Sequence, residues 1–185
     1  MRRLGAELGV EAMALYKHVS SKDEILDGMV ELVVSRIDTA VERADWRDAM
    51  RSRAMSAREV LRRHSWAIGL LDSRRLMGPN QLRYVDAILG SLRSAGFSVD
   101  DAAHAFSLLD SYVYGHVVQE MSMSGRSEPA ERLGPAANPD AFSTEYPHLA
   151  ELAAHAVGSP FSFDGEFAHG LEVILSALKP GEQRG

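Results

Sequence analysis

The sequence predicts an all-α fold: three short helices over the first 36 residues, followed by a larger helical domain. Two observations carry the all-α reading. Apolar residues recur at helical spacing in segment after segment, and no window alternates apolar and polar residues as a half-buried strand would. With 185 residues, 45% of them apolar and 25% charged, the chain has the composition of a globular protein with a core, so fibrous and disordered classes drop out.

Taken in order, Arg2 to Leu8 reads as a first helix closed by Gly9 at its C-terminal cap, and Ala12 to His18 as a second. A third starts at Ser20 or Ser21 as N-cap, with Asp23 and Glu24 in its first turn, where the helix dipole favours acids. Its stripe Ile25, Met29, Leu32, Val33 and Ile37 is suited to burial. Asp45 before Trp46 opens the next helix, which sets Trp46, Met50, Ala57, Val60, Leu61 and His64 on one side and arginines on the other. Gly78-Pro79 starts a helix carrying Leu82, Val85, Ile88, Leu89, Leu92 and Ala95, closed by Gly96. Ser98 with Asp101 resembles a capping box and opens a long helix to about Met123, apolar on almost every side. Such a helix is expected to be buried all round. Residues 125–140 hold three prolines, two glycines and no aromatic residue, the composition of a flexible linker. Helices resume from Tyr146 to Val157 and from Asp164 to Leu178.

Composition excludes several functions. Zero cysteines remove disulfides, thiolate catalysis and cysteine-bound zinc. A net charge of −6 opposes coating of nucleic acid by charge alone, so any DNA contact must be local. The start MRRLGAELGV lacks the apolar core of a secretory signal, and no stretch is long enough for a membrane span, so the expected location is the cytoplasm, without membrane contact. No histidine pair has metal-ligand spacing, and no phosphate loop, nucleophile elbow or paired carboxylate is found. Neither a cofactor, a metal nor an enzyme is expected. A hydrolase built on His64 or His104 with Asp110 has only the presence of those residue types to recommend it.

The segment RRLGAELGVEAMALYKHVSSKDEIL has the helix, glycine turn, short helix and capped helix of a helix-turn-helix. It resembles the DNA-binding head of the TetR family, through Leu4 and Leu8 around Gly9-Val10, the Leu15 to Val19 run and Ser21-Lys22-Asp23-Glu24. Asp45-Trp46, Arg58 to His64, Gly78-Pro79-Asn80, Ala95-Gly96-Phe97, Asp110 to Gly115 and Phe167 to Leu178 resemble the tetracycline-repressor-type regulatory domain. The boundary between head with connecting helix and regulatory domain is drawn at residues 43 and 44, the second domain running to 180. Family members carry a further helix ahead of the position of Met1. The sequence is therefore expected to be a trimmed or mis-started form, because Leu4, Leu8 and Leu15 call for a surface to cover them.

The resemblance implies a regulator, most often a repressor, released from a palindromic double-stranded DNA operator by a small hydrophobic or aromatic effector. With Leu15 turned to the core, its DNA-facing positions are Ala12, Met13, Ala14, Tyr16, Lys17 and His18, joined by Arg3 and Lys22. Lys17 suits guanine acceptors, Met13 with the two alanines thymine methyls, and Tyr16, His18 and Lys22 phosphates. Residues 1–36 hold five basic and six acidic side chains, so charge adds little support. Candidate effector residues are His64, Trp66, Met77, Tyr84, Ile88, Phe106, Ser107, Asp110, Ser111 and Tyr114, large apolar side chains mixed with small or polar ones. The tetracycline-contacting pattern is not kept, since Arg51 to Ala57 has no Asn or Phe and Leu70 to Ser73 no His, so a different effector is expected. A homodimer is expected through the long helix and the last one. The alternative is a small-molecule-binding helical dimer with a non-functional DNA head.

Overall fold

The computed structural model describes residues 1–39, 45–73, 77–123, 139–158 and 162–181, and among them ten helices and no strand. Helix α1 (Arg2–Glu7) ends in a Schellman turn: Gly9 takes φ +67°, Gly9 N–H donates to Ala6 O and Val10 N–H to Gly5 O. Helix α2 (Ala12–Leu15) is shorter than the spacing predicts, because the chain tightens to i→i+3 bonds from Lys17 to Ala14 and His18 to Leu15. Helix α3 (Lys22–Val34) has Ser21 as N-cap, its Oγ accepting from Glu24 N–H. Glu24 in turn accepts from Ser20 N–H and Oγ at 2.6 Å, which holds its carboxyl below the usual range.

Val30, Val33 and Val34 are the buried face of α3, continued by Ile37 in the turn beyond it. Met29 and Leu32, expected inside, are exposed: they point away from α5 and α6, the helices on which α3 packs. The linker expected over 125–140 falls mostly outside the described residues, and its end is helical, since α8 starts at Pro139.

The regulatory core is built on α4 (Trp46–Arg63), α6 (Pro79–Ser94), α7 (Val99–Met123) and α10 (Phe163–Ala177). Helix α5 (Trp66–Ser73) joins the α3 side, while α8 (Pro139–Glu145) and α9 (Pro147–Gly158) pack on each other. Helix starts follow the sequence: Asp45 Oδ1 accepts from Arg47 and Asp48 N–H, and Ser98 Oγ accepts from Asp101 N–H. Trp46 meets Phe97 edge to face with centroids 4.9 Å apart, and Phe97 follows Gly96, whose φ of +93° turns the chain out of α6. Arg58, placed on the polar side of α4 by the sequence, is buried: Nη2 donates to Glu120 at 2.9 Å and Nη1 to Asp164 at 2.7 Å, tying α4 to α7 and α10.

Helix α7 departs from its expectation. Within one chain only the face of Ala102, Ala105, Leu109, Val113 and Val117 is buried, while Ala103, Leu108, Gly115, Val118 and Met121 are exposed. The neighbours α4, α6 and α10 cover about half of its circumference, so the apolar remainder faces outward. Val173 of α10 is also exposed.

Candidate functional site

Most of the head's candidate residues are open to solvent. Met13 is 72% exposed, Arg3, Tyr16, Lys17, His18 and Lys22 are exposed, and Ala14 is half-buried beside Leu15. Ala12 opens the short helix α2. Leu4, Leu8 and Val10 are exposed on the head as well. The exposed Met13 on α2 has an apolar side chain of the kind that contacts thymine methyls, and the exposed Lys17 and Lys22 carry ammonium groups of the kind that reach base acceptors and phosphates.

One carboxylate caps the helix on which α3 packs. Gly78, the N-cap of α6, has no side-chain oxygen for the free N–H groups of the first turn. Glu31 of α3 supplies the oxygens, accepting from Asn80 N–H at 2.6 Å and Gln81 N–H at 3.2 Å, while Asn80 Nδ2 donates to Glu31 O. Only glycine fits at 78 without moving that carboxylate, since a Cβ there would lie 2.3 Å from Glu31 Cδ. A second tie runs from Arg36 Nη1 to His64 Nε2 at 2.8 Å, which makes His64 the acceptor and the end of α4 a contact of the chain leaving α3.

Beside this joint lies a cavity of about 260 Å³, lined by Val34, Ser35, Ile37 and Thr39 from the α3 side and by Asn80, Arg83, Tyr84 and Ala87 from α6. Behind Tyr84 stands a polar centre absent from the sequence expectations. Arg53 of α4, 0% exposed, donates Nη1 to Tyr84 Oη at 2.6 Å and to Asp110 Oδ1 at 2.5 Å. Tyr84 and Asp110 thus share one nitrogen of Arg53. Burial pushes the Tyr84 phenol up to about 12 and the Asp110 carboxyl upward against the pull of Arg53. Burial likewise raises Tyr114, which feels the same three groups. Nε and Nη2 of Arg53 have no partner among the described residues. Each such buried N–H costs about 1–3 kcal/mol or more when nothing accepts it.

Of the effector residues named from sequence, Tyr84, Asp110 and Tyr114 are thus brought together around Arg53, and Phe106 packs half-buried against the same core. Ile88 is a fully buried core residue. Trp66 and Met77 are exposed, His64 lies at the end of α4, and Ser107 and Ser111 sit on the outer side of α7. Arg53 had a sequence signal, since Trp46, Met50, Arg53, Ala57 and Leu61 repeat every three or four residues and the arginine occupies a stripe position. Glu31 had none, because its partners lie some fifty residues away.

The described residues thus combine an exposed helix-turn-helix head with an all-helical domain, the two joined at a capped helix beside a cavity. The tetracyclin repressor-like C-terminal domain family matches residues 40–180. Among curated relatives, a helix-turn-helix transcriptional regulator of Saccharopolyspora erythraea is 34% identical over 151 residues, which cover 81% of this chain and 64% of the relative. The class A tetracycline repressor of transposon 1721, from Escherichia coli, is 31% identical over 182 residues, covering 96% and 79%. The crystal structure of Streptomyces coelicolor ActR with actinorhodin superposes with a TM-score of 0.76 at 26% identity, covering 98% of this chain and 88% of ActR. The chain belongs to the TetR family of transcriptional regulators. Its relatives are regulators and repressors rather than enzymes, and no described helix is long and apolar enough to cross a membrane.

Proposed function

We propose that the protein is a cytoplasmic, homodimeric repressor that binds a palindromic operator through α2 and the start of α3, and that a small hydrophobic or aromatic effector in the regulatory domain releases it. The observation that carries this reading is the joint: the helix bearing the head and the helix capped by Glu31 are the two that wall the cavity. A ligand there touches both, so its affinity depends on how α3 is set against α6. That dependence is what release requires, because a ligand moves an equilibrium only by its differential affinity for the two states, about 5.5 kcal/mol for a swing from 1:99 to 99:1. ActR, with its small-molecule ligand, supports the same use of this fold.

A dimer supports operator binding by placing two recognition helices about 34–36 Å apart, one turn of DNA. The apolar outer face of α7 and Val173 of α10 suit a four-helix contact between two copies, with Ala103 and Gly115 allowing close approach. Sedimentation at micromolar concentration is expected to give the mass of two chains, through an interface burying more than about 2,000 Å²; a single-chain mass contradicts the arrangement.

Two substitutions test the DNA register. Lys17→Ala is expected to change base preference at one position of each half-site. Lys22→Ala is expected to weaken all duplexes alike and to reduce the salt slope by about one. Fluorescence anisotropy of labelled duplexes across a salt series reads both, and unaltered binding by either variant rejects the register.

A further inference from the structure

The chain leaving α3 is fastened to α4 by hydrogen bonds. Asp38 N–H donates to Ser56 Oγ at 2.9 Å, and about two turns further on, at the C-cap of α4, His64 Nε2 meets Arg36 Nη1 at 2.8 Å. A guanidinium has five donors, no acceptor and a permanent charge, so Nε2 must offer a lone pair and the ring must be neutral. A proton on Nε2 removes the acceptor and sets a second cation against Arg36.

The surrounding groups do little to offset that cation. Around this end of α4, Glu59 is shared by Arg62 and Arg63, which also answer the C-terminal dipole of the helix. Glu120 of α7 is taken by Arg58 and Arg62, and Asp164 of α10 by Arg58. From α5 the imidazole meets the Trp66 ring edge to face, with centroids 6.2 Å apart. On the α3 side the ionisable residues are Arg36 and Asp38, and the backbone of Asp38 is fixed at the Ser56 end of the contact.

We propose that Arg36 and His64 form a pH-sensitive latch that fastens α3, and with it the DNA-binding head, to the regulatory domain, and that protonation of His64 opens the latch and weakens operator binding. The inference rests on the regulator reading given above and makes both side chains positioning residues for it. The fastened form keeps a proton off Nε2 and the open form accepts one, so each fall in pH moves the population toward the open form. Imidazoles as a class change charge between about pH 5 and 8. A dimer reads two half-sites at one spacing, and an unfastened α3 must be ordered again on the duplex, a cost that falls on operator binding.

The latch is tested first without DNA, by a double-mutant cycle of wild type, Arg36→Met, His64→Ala and R36M/H64A in urea denaturation. Arg36 is exposed and His64 half-buried, so all four proteins are expected to fold. Coupling between the two side chains should be favourable at about pH 8 and should vanish or change sign at about pH 5.5. Equal coupling at both values, or none at the higher one, overturns the proposal. Anisotropy then follows the tightest-binding duplex tiled from the DNA upstream of the gene, against a scrambled duplex of equal composition. The specific-to-scrambled ratio of wild type is expected to fall about threefold or more over the same range, part of the worth of one hydrogen bond in each of two heads. His64→Gln, whose Oε1 accepts from Arg36 and takes up no proton, should hold its ratio, and His18 of the head is common to both proteins. A constant ratio in wild type, or an equal fall in H64Q, also overturns the proposal. A ratio near one at the higher pH discards the regulator reading and the operator consequence with it, while the cycle still decides the latch.

Discussion

Asp110→Ala is expected to destabilise the protein by about 3–5 kcal/mol in urea denaturation. Arg53 is 0% exposed and has Asp110 as its described counter-charge, so the substitution leaves a guanidinium buried without compensation. Removing both charges should cost much less than removing one: R53M/D110L replaces an ion pair by apolar side chains of similar length, an exchange that is often neutral or stabilising. The double variant therefore reports whether the pair serves stability or ligand recognition. A loss below about 1 kcal/mol for Asp110→Ala would place the pair in water, where exposed ion pairs are worth that little.

Glu31→Ala is expected to cost about 1.5–3 kcal/mol, the value of hydrogen bonds made to a charged group. Its carboxylate satisfies two N–H groups at the start of α6, and no side chain of Gly78 can replace it. The consequence should be local. Amide exchange at Asn80 and Gln81 should accelerate while the core around Leu109 and Phe167 keeps its protection, and Glu31→Gln, which keeps one acceptor oxygen, should lie between. Gly78→Ala should mimic Glu31→Ala in part, since its Cβ pushes the carboxylate aside. Unchanged exchange at Asn80 and Gln81 would show that the Glu31 carboxylate does not hold the first turn of α6.

Local features were legible in the sequence because they are decided within a few residues. Gly9 and Gly96, Asp45, Ser98 and the Pro79 start each act through backbone groups next to them, and each was readable from the residue type. Long-range polar pairing was not. Arg58 looks like the solvated side of α4, yet its partner Glu120 comes from a helix more than fifty residues on, and Arg53, though it holds a stripe position, has nothing local to name Asp110 as its partner. Asp110, Tyr84 and Tyr114 read as convergent polar and aromatic residues, while the side chain they converge on, Arg53, is marked only by its place in the apolar stripe of α4. The all-round burial expected of α7 failed for a related reason: periodicity tells which residues are apolar, not whether one chain supplies enough neighbours to cover them.

As a dimer, this chain is expected to read a specific palindromic duplex. The most direct measurement is anisotropy of this chain on duplexes tiled across the DNA upstream of its own gene, at physiological salt, against scrambled duplexes of equal composition. One tile is expected to bind with two chains per palindrome at a Kd at least about a thousandfold below that of the scrambled duplex. Equal affinity for all tiles, falling together as salt rises, would contradict the account and leave a helical protein that touches DNA only by charge.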